Sequence, residues 1–343
     1  MTQTENPLRI FDESGTELTS IETQVTASYI MNKVSDMSFK ISRNDPKCTE
    51  EFMQFGNRVY WDGPTGHWGG IIQERHWPPG ELQVLCLSAA QLLGQKWRRT
   101  VKDKVLKDMT AGEMFRTLLA DANAVQDLRI QPGSIWGGGV QRDETLKLSP
   151  LEHISRIASR SGCEWEIVPD IDSHGRLYFL ANWYERMGME MDFELLEGHN
   201  LKLSGGNDMD EYGDIVNDLL GVNDAQTKGK RLYSNKIDAD SAEKYGGLRQ
   251  AEVVFAGNTA QATLDANTAR RLEEWNHPIS ASAPIALDVG ETYANCALGN
   301  TVRLRYVKTG FSNGELGSLL DVRIMGHNYS QATKELTLTV ENA

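Results

Sequence analysis

The chain has 343 residues, 24% of them charged and 40% apolar, a balance that suits folded cores and excludes wholesale disorder. Its length exceeds the roughly 100–200 residues of one domain, so two or more compact units are expected. The formal net charge of −13 argues against a phosphate-backbone binder, and no run of about 18 apolar residues offers a helical membrane span.

The N-terminal Met1-Thr2-Gln3-Thr4-Glu5-Asn6-Pro7 has neither the basic start nor the apolar stretch of a secretory signal, so folding in a cytosol is expected. Leu18 to Ile30 is rich in β-branched residues, and Ser38-Phe39-Lys40-Ile41-Ser42 alternates as a half-buried strand does. Further strands are predicted at Arg58–Trp61, Trp68–Glu74 and Glu81–Leu87, separated by Asp62-Gly63-Pro64 and Pro78-Pro79-Gly80. Short strands with frequent turns predict a small barrel or sandwich.

The middle of the chain changes character. Thr110 with Glu113 forms a capping box before Met114, Phe115, Leu118, Leu119 and Ala122. Ser149, Pro150 and Glu152 repeat the device before Leu151, Ile154, Ile157 and Ala158, and Gly162 suits the helix stop. Cys163–Val168 and Arg176–Leu180 read as a hairpin closed by a loop around Pro169 and Gly175. Strand signals return at Asn200–Leu203 and Ile215–Val222, followed by a polar linker from Asp224 to Lys230. A helix is predicted over Thr259–Trp275, ended by Asn276-His277-Pro278, with final strands at Thr301–Val307, Leu320–Met325 and Glu335–Val340.

Gly56-Asn57-Arg58-Val59-Tyr60 is echoed by Gly299-Asn300-Thr301-Val302-Arg303. After each come a loop, an apolar strand, a polar turn and a closing alternating strand. The reading is therefore α+β and β-rich, with two related barrels flanking an α+β insert. The divisions are a first barrel over residues 1–95, the insert over 96–195, and a linking segment with helix and second barrel over 196–343.

No catalytic, cofactor or metal site emerges. H-E-x-x-H, G-x-S-x-G and G-x-x-x-x-G-K are all missing. Gly137-Gly138-Gly139 reads as a loop. Asp170, Asp172 and Gly175 mimic the start of a calcium loop, yet Ala181 stands where a bidentate acid is needed. Glu273-Glu274 and Asp208/Asp210 are acid pairs expected from composition alone, and His67 reads as a surface or packed histidine. Cys48, Cys86, Cys163 and Cys296 form no C-x-x-C pair and read as buried free thiols. The basic cluster Lys96, Arg98, Arg99, Lys102, Lys104 and Lys107 is interrupted by Asp103 and Asp108 and reads as a solvated face.

The order of features resembles the hub proteins of phage tails and related contractile injection machines. The matching stretches are Gly56–Trp61 with Trp68–Glu74, Leu82–Leu93, Ser149–Trp165, Asp214–Asn217, Glu243–Gly246 and the helix ending at His277-Pro278. The resemblance implies two tube-like β-barrels per chain and a homotrimeric, pseudo-six-fold ring without enzymatic activity. That ring would join the tail tube or distal tail protein to a central spike, with the tape-measure protein and baseplate wedge as further neighbours. It implies neither membrane nor sequence-specific nucleic acid as partner, and a place in the virion tail tip. Edge strands are expected to join between subunits. Arg58, Arg75, Arg303, Arg305 and Arg323 are expected to pair with acids across subunit boundaries, the alternative being that they line the channel. The chain stops at Ala343, just after the last barrel strand, so a wall-degrading or receptor-binding region is expected on another chain. Two alternatives stay open: a tail-associated cell-wall hydrolase, and a host-surface or carbohydrate-binding module using Trp61, Trp68, Trp77 and Trp136.

Overall fold

The computed structural model describes residues 6–94, 98, 104–138, 143–201, 209–211, 215–223, 231–244, 246–255, 260–276, 279–286, 290–312 and 315–343. Two compact units emerge. One comprises Met1–Asn207 with Ser282–Glu341; the other is Asp208–Ala281.

The first flank of the larger unit holds β1 (Leu8–Phe11), β2 (Glu17–Ile21), β3 (Val25–Ile30), β4 (Asp36–Ser42), β5 (Arg58–Gly63), β6 (Gly66–His76) and β7 (Glu81–Ser88). Alternation sets the faces: Met37, Phe39 and Ile41 of β4 are buried while their neighbours are not. A short 3-10 helix over Ala89–Leu93 follows β7.

The insert follows with β8 (Val105–Leu106), α1 (Ala111–Val125), β9 (Ile130–Ile135), β10 (Glu144–Thr145), α2 (Pro150–Ser161), β11 (Glu164–Ile171), β12 (Leu177–Tyr184) and β13 (Glu190–Leu196). Both capping boxes form as the sequence predicts, and Gly162 ends α2 in the left-handed region at φ 71°. Pro169 differs from expectation: it lies inside β11 opposite Phe179, and the turn falls at Asp172–Gly175. A proline fits there because β11 is an edge strand of the β11-β12-β9 sheet. Phe115 and Trp183 pack at 4.9 Å in the insert core, which continues without a break into the first flank through Phe11, Ile71, Ala89 and Leu92.

The smaller unit contains β14 (Met209–Glu211), β15 (Asp218–Asn223), β16 (Tyr233–Ile237), α3 (Ala239–Lys244), β17 (Gln250–Phe255) and α4 (Gln261–Trp275). Its sheet runs β16-β15-β17. A Cβ on Gly221 of β15 would clash with Thr268 of α4, so glycine permits the helix to lie close against that strand. The Asn217 side chain joins two stretches far apart in sequence, accepting from Arg249 N at 2.7 Å and donating to Gly247 O at 3.2 Å.

The remaining elements are β18 (Ile279–Ala286), α5 (Gly290–Asn295), β19 (Thr301–Ser312), β20 (Glu315–Ser330) and β21 (Glu335–Asn342). Strand β13 falls in the stretch assigned to the insert but pairs with β19, in parallel. At Asn200–Leu203 the predicted strand reduces to an isolated bridge between Glu197 and Leu201, with residues 202 and 203 outside the described residues. The linker at 224–230 and Gly139 also lie outside them.

The two flanks merge. The sheet runs β21-β20-β3-β4-β7-β6-β5-β1-β2, with β19 beside the first half of β20. Among the described residues the junction is β3 against the second half of β20, within one chain. Among those residues no helix is long and apolar enough to cross a membrane.

Candidate functional site

The echo in sequence is a repeated structural corner. Gly56 and Gly299 both take left-handed φ, 87° and 83°, a conformation that glycine adopts without strain. Gly56 N donates to Ile72 O at 3.0 Å and Ile72 N to Asn57 O at 2.9 Å; Gly299 N donates to Ile324 O at 2.8 Å and Ile324 N to Asn300 O at 2.9 Å. Each asparagine N–H closes a turn three residues back, Asn57 onto Gln54 O and Asn300 onto Ala297 O. Each buried side-chain amide then donates to the preceding loop: Asn57 to Glu51 O and Phe52 O, Asn300 to Asn295 O. Cross-strand partners match as well, Arg58 with Ile71 and Thr301 with Arg323.

That last correspondence shows how one corner was adapted twice. Arg58 donates to Gly56 O at 2.6 Å; Arg323, from the opposite strand, donates to Gly299 O at 3.2 Å. An arginine therefore satisfies the glycine carbonyl in both copies. The position facing the insert is apolar in the first copy, where Ile71 joins the shared core. In the second it is Arg323, which meets Glu164 of β11 at 2.6 and 2.7 Å and donates to Met187 O at 3.0 Å. Burial lowers the Arg58 pKa to about 10.

The junction between the copies pairs Gly326–Ser330 with Thr26–Ile30 and is closed by Met31 N to Met325 O and Gln331 N to Val25 O. His327 sits opposite Tyr29 with ring centroids 4.5 Å apart, and Trp61 stacks on Tyr329 at 5.8 Å. Trp68 donates its indole N–H to Ser28 O at 3.0 Å. Burial pushes the His327 pKa down to about 4.

The arginines expected to reach across subunit boundaries find partners within the chain. Arg305 forks onto Glu194 at 2.8 and 3.1 Å, Arg303 approaches Asp321 at 3.8 Å, and Arg75 lies 4.0 Å over the Phe55 ring. Of the four tryptophans considered as sugar platforms, Trp61 and Trp68 are buried, Trp136 is half-buried and Trp77 is exposed. Cys86, Cys163 and Cys296 are buried free thiols; Cys48 is half-buried. Asp172 spends its carboxylate on the backbone N–H groups of His174 and Arg176, and Asp170 accepts from Tyr178. His67 is exposed beside Tyr60 and Asp62. Glu273 is exposed, whereas the side chains of Glu274, Asp208 and Asp210 lie outside the described residues, as do Lys96, Arg99 and Lys102. Lys104 pairs with Asp121 at 2.5 Å, Arg98 is buried and Lys107 is exposed.

One polar cluster escaped the sequence reading. Buried His153 meets Glu144 at 2.7 Å, and Arg156 and Arg160 reach the same carboxylate at 3.2 and 2.5 Å. His153 Nε2 accepts from both Lys147 N and Leu148 N at 3.0 Å, so Nδ1 carries the proton toward Glu144. With Nε2 occupied by the backbone, the imidazole holds the loop before α2 and has no lone pair left for a substrate proton. The signal in sequence was the spacing of His153, Arg156 and Arg160 on one helix side, without any hint of Glu144. A cleft lined by Tyr29, Trp68, Trp165 and Pro169 encloses about 60 Å³, against roughly 300–1,000 Å³ for small-molecule sites.

Solved structures share this fold. The 43 kDa tail protein of prophage MuSo2 from Shewanella oneidensis superposes with a TM-score of 0.64 at 10% identity, covering 98% of each chain. The prophage tail protein gp18 from Listeria monocytogenes gives 0.61 at 14% identity over 97% of this chain and 94% of that one. The E. coli c3393 protein is a component of the type VI secretion system with structural similarity to T4 bacteriophage tail proteins gp27 and gp5. It gives 0.52 at 11% identity over 100% of this chain and 76% of its own. No family model and no curated protein matches the sequence.

Proposed function

We propose that this chain is a non-enzymatic structural hub of a phage tail tip or baseplate, three copies of which close a pseudo-six-fold ring between the tail tube and a central spike. The observation that carries the reading is the repeated corner at Gly56-Asn57 and Gly299-Asn300, two related modules joined edge to edge through β3 and β20. A six-fold tube offers six equivalent docking positions and a three-fold spike offers three. A chain that supplies two related modules matches the first as six units and the second as three chains. The fold shared with prophage tail proteins supports the same placement. Neighbours on this reading are the tail tube or distal tail protein, the spike, the tape-measure protein and the baseplate wedge.

Light scattering across protein concentration tests the proposal, with negative-stain imaging of the assembled species. A mass of three chains and a ring with a central opening are expected. A monomer at every concentration, also in the presence of tube and spike proteins, counts against it.

A further inference from the structure

The repeated corner says where a second copy of the chain should bind. In the second module the far half of β20 has its β19-side edge taken by β3 of the first module. The corresponding stretch of the first module is the far half of β6, because Ile72 and Ile324 occupy the same place in the two corners. Strand β5 pairs with β6 only as far as Ile71. Among the described residues the β5-side edge from Gln73 to His76 has no strand beside it. Arg43 ends that stretch by donating to the carbonyls of Trp77 and Pro78, both at 2.6 Å.

The side chains give a second, independent sign. Counting from the same anchors, Phe55 stands where Leu298 does, Arg75 where His327 does and Trp77 where Tyr329 does. In the second module the first module covers these places: Leu298 lines the cleft with Tyr29 and Ile30, His327 packs on Tyr29, and Tyr329 on Trp61. His327 and Tyr329 are only 4% and 8% exposed, whereas Phe55 and Trp77 are 53% and 57% exposed. An unpaired strand edge flanked by two exposed aromatic rings is costly to leave in water and invites strand addition.

We propose that the edge of β6 from Gln73 to His76, with Phe55 and Trp77 beside it, receives a strand from the second module of a neighbouring copy, repeating between chains the junction that β3 and β20 make within one. This inference rests on the ring reading and specifies its interface.

The test compares the wild-type chain with Phe55→Glu/Trp77→Glu and with a control, Val125→Glu, at a residue 73% exposed on α1. All three are measured by circular dichroism, light scattering and backbone hydrogen exchange. The double variant should keep the wild-type spectrum yet need a roughly thirty-fold or higher concentration for half-assembly, as loss of aromatic anchors at an interface does. The control should assemble normally. Amides of the 73–76 stretch that point away from β7 should be protected in the trimer and exchange faster in the dissociated double variant. A wild-type trimer that survives the double substitution, or in which residues 73–76 exchange as freely as in the monomer, overturns the edge assignment while leaving the ring reading intact. A wild-type chain that never trimerises overturns both.

Discussion

Arg323 and Glu164, 159 residues apart in sequence, form a buried bidentate pair that ties the second module to the insert. Glu164 also accepts from Met187 N at 2.5 Å, and Arg323 reaches Gly299 O, so both ends of the pair are satisfied by backbone as well as by each other.

Removing one member should therefore be costly. Arg323→Met leaves Glu164 as a buried, uncompensated carboxylate and should destabilise the fold by about 3–5 kcal/mol. Adding Glu164→Gln should restore a large share of that loss, because no buried charge remains. Urea denaturation of the two single variants and the double variant measures the coupling, and strictly additive losses would contradict the pair.

The two corners should respond alike to loss of their asparagine. Asn57→Ala and Asn300→Ala each abandon loop carbonyls held by the side-chain amide, and the second also frees Met189 N. A cost of about 1–3 kcal/mol is expected in each case. Chemical denaturation checks the magnitude, and hydrogen exchange should show increased opening confined to residues 51–58 or 295–301 respectively.

His153→Leu should destabilise the insert by about 2–5 kcal/mol, because two backbone N–H groups lose their acceptor and Glu144 keeps only Arg156 and Arg160 as donors. Thermal unfolding reads this directly. An unchanged melting temperature would remove the structural role assigned to the imidazole.

Acid should loosen the module junction through His327. Its pKa is about 4 in the fold against an ordinary value near 6.5, so the unfolded chain binds the extra proton between these values. The contribution is fully present above pH 6.5 and is lost as pH falls toward 4, amounting to about 3 kcal/mol over that window. His327→Gln should flatten the dependence of stability on pH between 6.5 and 4, measured by urea midpoints at several pH values.

The assembled chain should not grip duplex DNA. Arg303, Arg305 and Arg323 already pair with acids in the same chain, and the net charge is −13. Counterion-release binding needs several clustered, available cations. A gel shift at low salt should show no complex, and a salt-sensitive band would point instead to arginines lining the channel.

Much of the architecture was legible from local chemistry. Thr110/Glu113 and Ser149/Glu152 specify helix starts because their capping bonds close within four residues. Alternation in β4 and β21 specifies a buried face because the strand period is two. The Gly56 and Gly299 echo was visible because a left-handed corner needs glycine and its turn needs the asparagine beside it. What tertiary structure alone decided was every relationship that depends on long-range register. It set Arg323 on Glu164 rather than on a neighbouring chain, joined β3 to β20, and placed β13 beside β19. It also turned Glu144 toward His153, and left Phe55 and Trp77 exposed while burying Trp61 and Trp68. Sequence patterns report which side of an element is apolar. Which edge meets which, and which charge finds which partner, follows only when distant strands are brought into register and their backbone groups must all be paired.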